Sequence, residues 1–135
     1  MRIALVAYDR PNYFAGPIVN VQRLLPELND RGHSVYALII YHQDDAPSAR
    51  TLQGRGIQCR LLPWQRHSEP MVEWILEQLV ELEPDVFVPN LSVQGCYAAR
   101  WVREAGIPTI AVLRNDDSFH TGMVGEFVTG KREWA

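Results

Sequence analysis

Arg2-Ile3-Ala4-Leu5-Val6-Ala7-Tyr8, Asp9-Arg10-Pro11-Asn12-Tyr13-Phe14-Ala15-Gly16, Pro17 to Arg31, Gly32, and Val35 to Tyr41 are the segments that decide the fold of this chain. The first is an apolar run of strand length. The second is a loop of turn residues and polar side chains. The third places Ile18, Val21, Leu25 and Leu28 at helical spacing, with Leu24 beside them. Gly32 ends that helix and a second apolar run follows. A strand, helix and strand in this order build parallel sheets, which bind ligands at the carboxyl ends of their strands, near helix N-termini. Asp9 to Gly16 is therefore a candidate binding edge.

The alternation continues outward from this unit. His42 to Pro47 reads as polar loop and Ser48 to Arg55 as a short helix. Ile57 to Leu62 reads as a third strand and Trp64 to Glu69 as loop. Pro70 to Glu83 has the clearest helical pattern, with Met71, Val72, Ile75, Leu76, Leu79 and Leu82 on one face and Pro70 at the first helical position. Asp85 to Pro89 reads as a fourth strand. Asn90-Leu91-Ser92 is a loop with Ser92 as N-cap. Val93 to Ala105 is a helix with Tyr97, Trp101 and Val102 facing inward, and Thr109 to Leu113 is a fifth strand.

Three junctions share one chemistry. Arg31-Gly32-His33, Arg55-Gly56-Ile57 and Ala105-Gly106-Ile107 each set glycine just past a helix, where a left-handed backbone excludes most side chains. The strands are rich in Val, Ile and Leu without clean alternation, as in a sheet covered on both faces. Pro26 interrupts an otherwise helical pattern at a cost of roughly 3 kcal/mol, which predicts a distorted helix rather than two elements. The fold class is α/β: a doubly wound parallel sheet in three α/β/α layers, strand order 3-2-1-4-5. Its crevice lies between strands one and four. Asp9, Arg10, Asn12, Tyr13, Asn90, Ser92, Arg114, Asn115, Asp116 and Asp117 converge there.

The 135 residues fit one domain, 47% of them apolar, with a formal net charge of −3. That balance argues against nucleic acid as a partner, which favours a basic stripe. Cys59 and Cys96 lie on apolar elements and read as buried free thiols of a reducing compartment. No Cys/His cluster has zinc spacing, so no metal is expected. No apolar run approaches the ~20 residues of a membrane span, and no signal peptide is visible. The expected compartment is the cytoplasm, with peripheral membrane contact left open. No Gly-x-Gly-x-x-Gly follows the first strand, so a nicotinamide or flavin site lacks its fingerprint.

Ala15-Gly16 in the first loop, Leu24-Leu25-Pro26-Glu27-Leu28 in the helix and Arg31-Gly32-His33-Ser34-Val35 before strand two carry a family likeness. So do Glu83-Pro84-Asp85-Val86 and Ala105-Gly106-Ile107-Pro108-Thr109. Together they resemble the N-terminal domain of a GT-B glycosyltransferase, most of all glycosyltransferase family 4, over nearly the whole chain. The resemblance implies two Rossmann-like domains around a cleft. The first holds the acceptor, a sugar or a lipid-linked acceptor; the second holds most of a nucleotide-sugar donor. The sugar passes to an acceptor hydroxyl with retention of configuration, and the donor is a co-substrate rather than a cofactor. It also implies that residues 1–135 are a single domain truncated before its next strand, without the C-terminal donor domain, and inactive alone.

The site residues this implies are Arg10, Tyr13, Gly16, Asn90, Arg114, Asn115 and His120 for substrate binding and Asp116 as the catalytic candidate, orienting an acceptor hydroxyl. Each has a plainer reading. Gly16 opens a helix, Arg10 and Tyr13 sit in a surface loop, Asp116 and Asp117 form a solvated turn, and His120 is a lone loop histidine. Asparagine stands at Asn90 and Asn115 where family members often carry histidine; it hydrogen-bonds a hydroxyl but moves no proton at neutral pH. His33 matches the family motif but lies at the amino end of strand two and reads as structural. Glu69 with Glu77, and Glu73 with Glu81, reproduce a Glu-x7-Glu spacing through helix amphipathicity and receive no function.

Two other functions compete with the acceptor-side half of a sugar transferase. One is a stand-alone flavodoxin-like binding or interaction module. The other is half of a different GT-B enzyme, such as a nucleotide-sugar epimerase. If strand five is an edge, its unpaired backbone invites self-association unless apolar residues of Phe119 to Trp134 cover it.

Overall fold

The computed structural model describes residues 1–12, 16–90 and 93–110. Strands and helices alternate: β1 (Arg2–Asp9), α1 (Gly16–Asp30), β2 (Ser34–Tyr41), α2 (Pro47–Gln53), β3 (Gln58–Pro63), α3 (Ser68–Leu82), β4 (Val86–Val88) and α4 (Val93–Glu104). The strands form one parallel sheet in the order β3-β2-β1-β4. Beyond β4, Thr109 pairs in parallel with Phe87, whose N–H and carbonyl bond Pro108 and Ile110 at 2.9 Å each. That is where the fifth strand is expected; residues 111–113 lie outside the described residues.

The sheet is covered on both faces because its side chains alternate and both sets are apolar. Ile3, Leu5 and Ala7 pack with Val35, Ala37 and Ile39 under α1 and α2. Ala4 and Val6 pack with Leu38, Ile40 and Phe87 under α3 and α4. β1 and β2 are each flanked by strands on both sides, so they form the floor of both layers. This is the doubly wound, Rossmann-like arrangement.

The three glycine junctions close in the same way. Gly32, Gly56 and Gly106 have φ of +90°, +80° and +84°. The residue after each donates to a carbonyl five positions back: His33 to Leu28 (3.2 Å), Ile57 to Leu52 (3.0 Å) and Ile107 to Val102 (3.2 Å). This double-capped turn consumes the carbonyls that a helix end leaves over, and it aims the chain into the next strand.

Two expectations are corrected and one is met. Pro70 is the third residue of α3, not the first. The first turn has no backbone acceptors for its N–H groups, so proline loses nothing there. As expected, α1 runs through Pro26 as one element, with Pro26 itself buried. On α4, Val102 faces inward but Tyr97 and Trp101 are 48% and 41% exposed. The inward face instead carries Ala98 and Val102, with Gly95 buried against Pro89. A Cβ at Gly95 would approach the Pro89 Cβ to 3.1 Å. The helix lies too close to the strand end for large rings, and Tyr97 and Trp101 contact each other outside, their centroids 5.5 Å apart.

A Cβ at Gly56 would meet nothing within 4 Å, so substitution there tests the backbone alone. Gly56→Ala is expected to lower stability by about 1 kcal/mol. Urea unfolding checks it, and an unchanged midpoint would show that the left-handed turn carries no load.

Candidate functional site

All strand carboxyl ends lie on one edge because the sheet is parallel, and that edge is stepped. Asp9 is level with Tyr41, and Tyr41 with Pro63, so β1, β2 and β3 end together. β4 ends at Val88, opposite Leu5, while β1 runs on through Val6, Ala7, Tyr8 and Asp9. At ~3.3 Å per residue this overhang is about 13 Å. The overhanging end of β1 therefore walls one side of the crevice where the winding reverses.

Asp9 fixes the overhang on the α1/α2 face. Its side chain is fully buried. Oδ2 accepts the Ser48 N–H at 2.8 Å and Oδ1 accepts the Arg10 N–H at 2.9 Å. The Ser48 hydroxyl in turn accepts from Gln22 Nε2 of α1 at 2.8 Å. β1, α1 and the start of α2 are thus tied through one carboxylate. Burial pushes the Asp9 carboxyl above its ordinary value. The hydrogen bonds from Ser48 and Arg10 oppose that rise, and nearby Asp45 adds to it. Asp45 is itself held below the usual carboxylate range, chiefly by its bond to Arg50.

The other face of the edge carries an aromatic row. Tyr8 follows Ala4 and Val6, His42 follows Leu38 and Ile40, and Trp64 follows Leu62, all on the α3/α4 side. The Tyr8 and His42 centroids are 6.1 Å apart, and those of His42 and Trp64 are 4.6 Å apart at 46°. The backbone sets this row: the His42 N–H donates to Asp9 O at 3.0 Å and the Trp64 N–H to Tyr41 O at 2.8 Å. Trp64 stays 41% exposed.

Of the residues expected at the site, five are described and share this edge: Asp9 ends β1, and Asn12, exposed with φ +58°, lies in the loop that follows. Arg10 follows β1 and is exposed. Gly16 is the first residue of α1. Asn90 is buried just past β4 with φ +36°. Tyr13, Ser92, Arg114, Asn115, Asp116, Asp117 and His120 lie outside the described residues. His33 precedes β2 at the opposite, amino edge. The sequence places Asp9 at this binding edge but does not announce its burial, and it leaves His42 and Trp64 in loops with no part in the site. The signal available for the last two was positional, since each is an aromatic residue directly after an apolar run. Cys59 and Cys96 are free and half-buried; burial raises both thiols, Cys59 to about 11, so neither is a thiolate at neutral pH. Among the described residues no group of three His, Cys, Asp or Glu side chains is placed to hold a metal, and no helix is long and apolar enough to cross a membrane.

No family model and no curated protein matches the chain. Solved structures share its fold. Anabaena HepE in complex with UDP and glucose aligns with a TM-score of 0.63 at 13% identity, over 96% of this chain and 36% of HepE. HepE in complex with UDP gives 0.60 at 17%, over 93% and 35%. The C-terminal domain of a hydrogenase from Pyrococcus furiosus gives 0.63 at 16%, over 83% of this chain and 91% of that domain. At these identities the likeness is one of fold. The chain spans about a third of the length of HepE.

The Asp9 arrangement predicts two outcomes. Asp9→Ala leaves the Ser48 and Arg10 N–H groups without their acceptor and is expected to cost about 2 kcal/mol in urea unfolding. For pH, the folded chain binds the Asp9 proton more tightly than the unfolded chain does. Stability relative to Asp9→Asn should therefore fall as pH rises from the ordinary carboxylate value of 3.8 through the raised one, then level off. A difference that is flat, or that grows with pH, contradicts the assignment.

Proposed function

We propose that this domain is the acceptor-binding half of a glycosyltransferase that moves a hexosyl group from a nucleotide-sugar donor to an acceptor hydroxyl with retention of configuration. The observation that carries this reading is the likeness of nearly the whole chain to a third of HepE, a protein solved with UDP and glucose. The order of motifs from Ala15-Gly16 to Thr109 supports it. The sheet supplies a suitable platform, since the stepped edge gathers Arg10, the start of α1 and Asn90 where the winding reverses between β1 and β4. Asn90 suits hydrogen bonding to a sugar hydroxyl. The acceptor is a sugar or a lipid-linked acceptor, the donor is a co-substrate, and a second Rossmann-like domain supplies most of the donor site. The protein works in the cytoplasm, in contact with the membrane surface if its acceptor is lipid-linked.

One observation favours a second reading, a stand-alone binding or interaction module of flavodoxin-like architecture. The chain matches 91% of the hydrogenase C-terminal domain, which is a unit of its own size.

Catalysis of transfer requires both reactants held in register, so residues 1–135 alone are expected to leave UDP-glucose and related nucleotide sugars unconsumed. The product of the reading frame continued past Ala135 should release nucleoside diphosphate in the presence of a glycosyl acceptor. Turnover by residues 1–135 alone, or a stop codon directly after Ala135, would overturn the acceptor-half reading; the stop codon would favour the module.

A further inference from the structure

We infer that Trp64, braced by His42, is a stacking platform for the apolar face of a pyranose ring, at the β2–β3 end of the carboxyl edge. The choice of a sugar over another flat ligand rests on the acceptor-side reading above. The platform itself rests on geometry.

Trp64 is held rather than loose. Its N–H is tied to Tyr41 O at 2.8 Å, and its ring lies against His42 with centroids 4.6 Å apart. Tyr8 continues the row toward the crevice at 6.1 Å from His42. A ring fixed on one side and 41% exposed presents its remaining surface without further ordering, which lowers the entropy cost of binding.

The surroundings suit one sugar ring better than a protein partner. A protein interface needs a contiguous apolar patch. Here the next residue on the same face of β3, two positions beyond Leu62, is Arg60, paired with Glu81 at 2.9 Å. The nearest exposed apolar residue of that strand, Leu61, belongs to the opposite face. After Trp64 come Gln65, Arg66 and His67. Gln65 is oriented by its Nε2, which donates to Pro63 O at 2.8 Å, and Arg66 and His67 are exposed. A single aromatic face rimmed by hydrogen-bonding side chains matches the C–H face and equatorial hydroxyls of a pyranose. The site lies three strands from β4, so it would hold a sugar unit of the acceptor remote from the reacting hydroxyl.

The test uses the 135-residue chain and its four tryptophan indole N–H signals in proton–nitrogen NMR spectra. The Trp64 signal is assigned by its loss in Trp64→Phe. Probes are methyl α- and β-glucopyranoside, maltose and cellobiose, with uridine and UDP as competing arms. At least one saccharide is expected to shift the Trp64 signal while leaving that of Trp101, equally exposed, in place. Trp64→Ala should weaken that saccharide about tenfold, the lower range for loss of one stacked ring, and Trp64→Phe by much less. The proposal is overturned if no saccharide moves the signal, if Trp101 moves equally, if Trp64→Ala binds unchanged, or if only uridine and UDP act. Its failure separates from that of the parent reading. Hexosyl transfer with an acceptor KM indifferent to Trp64→Ala removes the platform alone; stacking without transfer removes the acceptor-half reading and leaves a sugar-binding edge.

Discussion

The buried carboxylate of Asp9 is the constraint on which the carboxyl edge depends. Its side chain reaches down one face of the sheet to the Ser48 N–H, fixing where α2 begins. Its main-chain carbonyl accepts from His42, fixing where β2 ends. His42 in turn supports Trp64 after β3. Three strand ends, the start of α2 and an aromatic row thus take their positions from one residue. A carboxylate taken out of water costs several kcal/mol unless it is hydrogen-bonded, which is why two N–H groups are aimed at it.

The sheet gives that residue its setting. Parallel strands need crossover helices, and two crossovers on each face leave the sheet's middle dry and its carboxyl edge open. The register then shapes the edge. With β4 stopping opposite Leu5, the end of β1 projects about 13 Å beyond its neighbour, and the crevice has a wall before any ligand arrives. The close packing of Gly95 on Pro89 draws α4 toward the same corner.

Much of the fold was legible in the sequence because backbone chemistry is local. Gly32, Gly56 and Gly106 announce left-handed turns that no neighbouring residue needs to explain, and the apolar runs around them set the order of elements. The face of α3 was legible for the same reason, in Met71, Ile75 and Leu79. Tyr97 and Trp101 were misread because their spacing is helical in either orientation, and only the distance between α4 and β4 decides which face is inward. Topology placed Arg10, Gly16 and Asn90 on the carboxyl edge, and they lie there. Asp9 was placed there too, but its burial was not legible, because an aspartate after an apolar run looks like the start of a turn and its partner Ser48 lies 39 residues away. His42 and Trp64 share a row only through inter-strand register, which spacing along one chain does not state.

The account holds that Asp9 is a buried, hydrogen-bonded carboxylate whose state is felt across the edge. A carbon-13 NMR titration of the Asp9 side-chain carboxyl, followed together with the Arg10, Ser48 and His42 amide protons, measures this directly. The carboxyl should inflect above the ordinary value of 3.8, and the three amide signals should move at that same pH. An inflection at or below 3.8, with the Ser48 amide unmoved, would mean that the carboxylate is solvated and that something else holds the edge together.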